Sequence, residues 1–343
     1  MRKLFIDATR IKSFGGLRVI RDLLSTEIFG NDVRVFLKDS QQFFDEMPYK
    51  KHNFVKIRSN FWSYIYLNFK FLSHIKKEDR FLTINNIPPL VRLNCKTYCF
   101  IHNIHILETP ANLNFFQFLR LILLRSLLKI FKKNVDTFVV QSETMKRLLQ
   151  STLKIEKNID NICVFPFVDK KQYEPNYSLS SQKKWDFIYT APLLNHKNHK
   201  NLFEAWKILS EDDIYPTLCI TIDIANEKYL NNLNSFINKY SLKISNAGSL
   251  TFSQINDHYR SSNALIFPSF SESFGLPLVE ARIMNIPILA SELDYVRDIC
   301  EPIATFDPNS PLSIARCVKR FIMKEKSYQQ LHSPVQFLNM LLK

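Results

Sequence analysis

The chain of 343 residues contains no run of about 18 uninterrupted apolar residues, which a helix crossing a bilayer needs. No signal-peptide pattern stands ahead of its first apolar segment, so the expected compartment is the cytoplasm. Cysteine is sparse and scattered. Cys95, Cys99, Cys163, Cys219, Cys300 and Cys317 lie mostly inside apolar runs without paired CxxC spacing, which argues against a metal site and leaves reduced core thiols. Also missing are an RNP-type string, zinc-finger spacing and a Gly-rich basic tract, so a nucleic-acid-binding role is disfavoured. With 46% hydrophobic and 23% charged residues, the composition is that of an ordinary globular protein long enough for two domains.

What the chain does have is basic charge, unevenly spread. Its net charge is +14; residues 1–167 hold 27 Lys and Arg against 14 Asp and Glu, and residues 168–343 hold 19 against 18. The surplus belongs to the first half and points to an anionic partner there. Two stretches favour a membrane surface. Residues 61–77, FWSYIYLNFKFLSHIKK, set aromatics beside Lys70, Lys76 and Lys77. Residues 112–133 place Asn114, Gln117, Arg125, Lys129 and Lys132 near one helical face and leave a broad apolar remainder. A basic amphipathic helix of this kind suits the lipid interface; equally, both stretches can cover a sheet with their apolar faces.

Apolar runs at residues 3–7, 34–37, 80–84, 97–101 and 137–141 alternate with helical spacing and restart at 186–190, 217–223, 243–250, 264–268, 287–292 and 304–308. Such alternation predicts doubly wound, mostly parallel sheets, whose ligands bind at the carboxyl ends of the strands. After the first run comes a Gly15-Gly16 loop and then helical spacing from Leu17, which is either a phosphate approach or a tight turn. The most informative stretch is residues 269–285, SFSESFGLPLVEARIMN, which follows the buried run ending at Pro268. It predicts a turn holding Glu272 and a helix that Pro277 opens and that carries Glu280. The N–H groups of Phe274, Gly275 and Leu276 are then set to face the crevice, where a helix N-terminus favours an anion. Taken singly, Glu272 is as well read as an exposed loop acid and Glu280 as a complement to the helix dipole.

As a string, FPS-x-SESFGLPLVEA resembles the Glu-x7-Glu signature of retaining GT-B glycosyltransferases, specifically glycosyltransferase family 4. The resemblance implies an α/β GT-B architecture of two doubly wound Rossmann-like domains facing across a cleft. Residues 1–167 would form the acceptor-side domain, 168–184 a linker, 185–326 the nucleotide-sugar-binding domain, and 327–343 a terminal helix returning to the first. It further implies that Glu272 lies by the donor sugar and that Glu280 takes the ribose hydroxyls. His102, in YCFIHNIH, matches the family's His-Asp turn near the donor sugar, with Asn103 in place of the usual Asp. Gly15 and Gly16 would face the donor phosphates and acceptor, and Ser142, in the QSE turn, would face the cleft. Lys197, in HKNHKNLFEAW, would be the cation for the donor diphosphate, although Pro192 stands where many members carry an Arg. The turn through Ser249 would flank the base. His196 and His199 lack a third ligand and make no metal site.

The implied activity is retaining, metal-independent transfer from a nucleotide-sugar to a saccharide acceptor, with no cofactor beyond that co-substrate and no Asp-x-Asp motif to bridge a metal. The basic, aromatic first half suggests a lipid-linked acceptor, peripheral docking on the inner face of the cytoplasmic membrane, and a place in bacterial surface polysaccharide assembly. A catalytically silent sugar-nucleotide- or membrane-binding protein that keeps the fold is the alternative.

Overall fold

Strands buried on both faces read as continuous apolar runs, and β2 (Val33–Lys38), VRVFLK, is of this kind: Val35, Phe36 and Leu37 are all buried. The computed structural model describes residues 3–11, 14–24, 33–38, 53–57, 65, 69, 75–110, 113–154, 161–173, 183–223, 225, 227–324, 333, 334, 336 and 340. Among the described residues the strands form two sheets, parallel throughout.

The first unit comprises Met1–Leu179 with Ser271–Met284 and Leu293–Glu301. Its elements are β1 (Leu4–Ala8), α1 (Phe14–Leu24), β2, β3 (Asn53–Ile57), β4 (Arg80–Thr83), β5 (Lys96–Phe100), α2 (Phe115–Ile130), β6 (Thr137–Val140), α3 (Glu143–Leu153) and β7 (Ile162–Val164). The sheet order is β3-β2-β1-β4-β5-β6-β7, so the order reverses between β1 and β4. Helix α1 packs Val19 and Ile20 on one face, against Ile6, Val35 and Ile84. Helix α2 lays Leu124 and Leu128 on Cys99, Phe138 and Val140. Its start is fixed by a capping box, in which Asn114 and Gln117 each bond the other's backbone N–H.

The second unit comprises Ser180–Phe270, Asn285–Glu292 and Pro302–Lys343. It holds β8 (Trp185–Tyr189), α4 (His199–Glu211), β9 (Leu218–Ile220), α5 (Glu227–Lys239), β10 (Ile244–Asn246), α6 (Phe252–Arg260) and β11 (Ser262–Phe267). After α7 (Leu276–Ile283), which clusters with the first unit, follow β12 (Ile288–Ser291), α8 (Asp294–Arg297, again in the first unit), β13 (Ala304–Phe306) and α9 (Pro311–Met323). The order β10-β9-β8-β11-β12-β13 repeats the reversal, here between β8 and β11. Phe187 anchors the core, its ring 5.7 Å from Trp206 of α4 and 5.5 Å from Phe321 of α9. The indole N–H of Trp206 donates to the Pro216 carbonyl at 2.9 Å, so the largest buried side chain brings no unpaired donor with it.

Several expectations are corrected. Helix α1 begins at Phe14, so Gly15 and Gly16 sit in its first turn and not in a loop before it; the first N–H groups of a helix lack intrahelical partners, so glycine costs little there. Strand β3, NFVKI, was not foreseen because two of its five residues are polar. Cys163 is exposed, because β7 is an edge strand with a face left open, while the other cysteines are buried. Most of residues 61–77 and of the expected terminal helix lie outside the described residues.

Candidate active site at the strand ends

In an open parallel sheet, the loops on either side of the order reversal leave in opposite directions and open a crevice at the carboxyl ends of the strands. In the first unit that place is lined by polar groups, each held by another. Asp7, at the end of β1, is buried and accepts bonds on Oδ1 from the Thr9 backbone N–H at 3.1 Å and the Thr9 hydroxyl at 2.8 Å. Asn85, just past β4, accepts from the Arg10 N–H at 2.9 Å and donates to the Thr9 hydroxyl at 3.3 Å. Burial raises the Asp7 pKa, against these bonds, which lower it.

His102, at the end of β5, is half-buried and gripped by Asn86. The Asn86 Oδ1 accepts from the backbone N–H groups of His102 at 2.7 Å and Asn103 at 2.9 Å. That leaves its Nδ2 facing His102 Nε2 at 2.9 Å. An amide nitrogen only donates, so Nε2 accepts and the ring proton belongs on Nδ1. Burial also lowers the His102 pKa to about 4, which keeps the ring neutral. Asn103 accepts from the His105 N–H at 3.0 Å and so caps the turn Ile104–Ile106. Asn86 escaped the sequence reading; its signal is an Asn pair directly after a strand, with Asn86 at φ 63°, a conformation Asn tolerates better than most residues.

The turn carrying Glu272 is fastened to the same place. The Ile104 N–H donates to the Ser273 hydroxyl at 2.9 Å, and the Ser142 hydroxyl donates to the Ser273 carbonyl at 3.3 Å. Ser142 also caps α3 through the Met145 N–H. Glu272 and Phe274 are buried. Gly275 is the N-cap of α7 at φ 69°, and a Cβ there would come within 3.1 Å of Leu278. The backbone therefore requires glycine at this point. Leu276 and Pro277 make the first turn, as the sequence predicts. Glu280, one turn further, is buried and accepts at Oε1 from the Tyr173 hydroxyl at 3.2 Å. Tyr173, in the segment read as a linker, and Arg18 of α1, which donates to Tyr173 at 2.8 Å, were both missed. Thus Glu272, Phe274, Gly275, Leu276, Glu280, His102, Gly15 and Gly16 all belong to the first unit.

Lys197 and Ser249 belong to the second unit. Lys197 ends a 3-10 turn after β8, and its carbonyl accepts from the Tyr189 hydroxyl at 2.6 Å. Asn198, in the left-handed region at φ 59°, donates to the carbonyls of Pro268 at 3.0 Å and Pro308 at 2.7 Å, tying the turn to the end of β11. His199 opens α4 as a core residue, its ring 5.0 Å from that of Tyr189. Burial, aided by the charge of Lys197, lowers its pKa to about 4. Ser249 is exposed in the bend after β10, whose last residue, Asn246, bonds Ile222 through both side-chain atoms. A cavity of about 580 Å³ lined by Asp186, Asn263 and Arg320 lies at the opposite, amino end of this sheet and contains none of these groups. Among the described residues no cluster of His, Cys, Asp and Glu is suited to a metal ion.

Residues 169–334 match the family described as Glycosyl transferases group 1. The O-antigen chain mannosyltransferase RfbU of Salmonella typhimurium is 23% identical over 224 residues, which make up 63% of this chain and 57% of RfbU. Among solved structures, the glycosyltransferase from Rickettsia africae ESF-5 has a TM-score of 0.70 at 17% identity, covering 95% of this chain and 89% of that one. Anabaena Alr3699/HepE in complex with UDP and glucose has a TM-score of 0.66 at 14% identity, covering 94% of this chain and 90% of that one. The chain has the GT-B fold, and the likenesses support a group 1 glycosyltransferase.

Both lowered histidines carry a pH consequence with a definite sign. Unfolding returns His102 and His199 to the ordinary value of 6.5 from about 4, so the unfolded chain binds more protons between those values. Their contribution to stability is complete above 6.5 and is lost as pH falls toward 4. Thermal melts across this range should show the decline, with His102→Asn and His199→Phe each flattening it. An unchanged slope in both variants would contradict the neutral-ring assignment.

Proposed function

We propose that this chain, whose second half carries the group 1 likeness, is a retaining, metal-independent glycosyltransferase of the family 4 type. It moves a hexosyl unit from a nucleotide-sugar to a saccharide acceptor. The observation that carries the reading is the turn after β11: a strict glycine opening α7, with two buried carboxylates separated by seven residues, the second held by Tyr173. In this reading Glu280 accepts hydrogen bonds from neighbouring ribose hydroxyls, a task for which a carboxylate has two oxygens. Glu272 and His102 contact the donor sugar, Ser249 flanks the base, and Gly15 and Gly16 admit the phosphates and acceptor at the start of α1.

Transfer breaks the bond between the anomeric carbon and the diphosphate oxygen and forms one from that carbon to the acceptor oxygen. The acceptor's proton passes to a phosphate oxygen of the donor. Negative charge grows on the leaving diphosphate, and Lys197 with the N-terminus of α7 at Phe274, Gly275 and Leu276 offsets it. A metal is not required for that role. The two glutamates are donor-holding groups and not an acid/base pair. RfbU's role in an O-antigen chain supports a surface polysaccharide as the product and a lipid-linked saccharide as the acceptor.

The same reading places the protein on the inner face of the cytoplasmic membrane. Support comes from α2, whose outward face exposes Phe115 (71%), Phe116 (81%), Leu123 (58%) and Ile130 (66%), with Leu119 and Ile122 between them. Polar groups meanwhile turn inward: Arg125 donates to the Ile106 carbonyl and the Thr109 hydroxyl, and Lys132 to the Leu153 carbonyl. Residues 109–135 contain five cations and no acid, and Lys129 and Lys133 are exposed. Such a face complements an anionic bilayer, whereas a second copy would oppose like charges. No helix among the described residues is long and apolar enough to cross a membrane.

Two measurements test these readings. A panel of UDP-, GDP-, ADP- and TDP-sugars, with and without a polyprenyl-linked acceptor, should show nucleotide release from one donor that the acceptor stimulates. Glu280→Ala should then raise the donor KM by about tenfold or more, and Lys197→Ala should lower kcat by at least about tenfold, each the loss of a charge-assisted contact. No release from any donor, or unchanged constants in both variants, would overturn the assignment. For the membrane, co-sedimentation with anionic but not neutral vesicles is expected. Lys129→Gln with Lys133→Gln should weaken it by about 2 kcal/mol, roughly thirtyfold. Equal binding to both vesicle types would count against the basic face of α2.

A further inference from the structure

We propose that Tyr173, braced by Arg18 and Asp22, is the positioning residue for Glu280. The inference rests on the reading of Glu280 as the acceptor of ribose hydroxyls. The chain of contacts runs from α1 to α7 through the segment between the domains. Arg18 Nε donates to Asp22 Oδ1 at 2.9 Å, one turn along α1, and its Nη2 donates to the Tyr173 hydroxyl at 2.8 Å. The guanidinium carbon also lies 5.5 Å from the centre of the Tyr173 ring. Tyr173 in turn donates to Glu280 Oε1 at 3.2 Å.

The direction of each bond is fixed by chemistry. A guanidinium can only donate, so the phenol oxygen accepts from Arg18 and its single proton goes to the carboxylate. Burial, together with the charge of Glu280, pushes the phenol pKa upward, and it remains a donor over the whole physiological range. All four side chains are buried, where an unheld carboxylate is expensive and a held one is rigid. Asp22 also accepts from the backbone N–H of Asp169. Helix α1 thus grips the segment at two points four residues apart, Asp169 and Tyr173. That grip sets the Tyr173 hydroxyl, which sets the plane of the carboxylate.

Two neighbouring hydroxyls demand a carboxylate in a defined plane, so Tyr173 governs recognition of the sugar ring of the nucleotide. Because Gly15 and Gly16 lie in the first turn of α1, the same braces link the ribose group to the helix read as facing the phosphates. Arg18 is suited to this where Lys is not, since its planar fork bonds Asp22 and Tyr173 at once.

The test compares uridine, guanosine and adenosine diphosphates with their 2′-deoxy counterparts, by calorimetry, on the full chain and its Tyr173→Phe, Glu280→Gln and double variants. The native protein should prefer the ribonucleotide of its own base by about tenfold, and either substitution should remove most of that preference. The double variant should be no worse than Glu280→Gln alone, as expected of groups acting in series. In steady-state kinetics Tyr173→Phe should raise the donor KM and leave kcat within about twofold, the mark of lost binding rather than lost chemistry. The ratio of the two nucleotides is read on folded protein, so a lowered melting temperature does not mask it. If Tyr173→Phe keeps the full preference while Glu280→Gln loses it, the positioning role falls and the ribose reading stands. If Glu280→Gln also keeps it, the ribose reading itself fails and this inference with it.

Discussion

Parallel pairing with a single reversal of strand order is the constraint on which the rest of this molecule depends. Crossovers between parallel strands are right-handed, so strands added on either side of the reversal send their connections to opposite faces of the sheet. The loops that leave the two central strands therefore part from each other. Here the reversal occurs twice, between β1 and β4 and between β8 and β11. Gly15 and Gly16 follow β1, Lys197 follows β8, and the turn with Glu272 follows β11, while His102 follows β5, next to β4, and Ser249 follows the edge strand β10. Within each unit, candidate residues far apart in the chain come to the strand ends of its sheet because the topology leaves them few other places.

Strand ends below a covered surface are costly sites for polar groups, and the structure meets that cost by pairing. Asn86 spends its carbonyl oxygen on two backbone N–H groups and its amide on His102, which fixes both the tautomer and the ring. Ser273 joins the Glu272 turn to Ile104 through its hydroxyl and to Ser142 through its carbonyl. Tyr173 both accepts and donates, so the carboxylate of Glu280 is oriented by a group that cannot ionise there. Helix α2 shows the opposite treatment: Arg125 turns to the Ile106 carbonyl, while Phe115, Phe116 and the cation Lys129 are left to the outside. The contrast is between polar groups paired at the strand ends and apolar side chains left exposed along α2.

How much of this was legible in the sequence depends on how local each signal is. Buried strands announce themselves as apolar runs, and every such run from Leu4 to Phe306 became a strand. Gly275 and Pro277 fixed the start of α7 because their backbone preferences act within one turn. Strand β3 was hidden, since Asn53 and Lys56 dilute its pattern. The positioning residues were hidden for a deeper reason. Asn86 lies 16 residues from His102, and Tyr173 lies 107 from Glu280, and no periodicity records such contacts. Tyr173 sits among Lys, Gln and Asn, a composition that reads as a linker, and its role exists only once α1 and α7 converge on it. Glu272 and Glu280 were legible as a pair; what holds them was not.

The central claim is that ligand chemistry gathers at the carboxyl ends of the strands and not at the cavity on the amino side, near Asp186 and Arg320. Hydrogen exchange, read by peptide with and without the nucleoside diphosphate of the donor proposed above, tests this directly. The account predicts slowed exchange across residues 190–202 and 268–280, with residues 320–324 unchanged. Protection confined to residues 320–324, with none in the two turns, would contradict it.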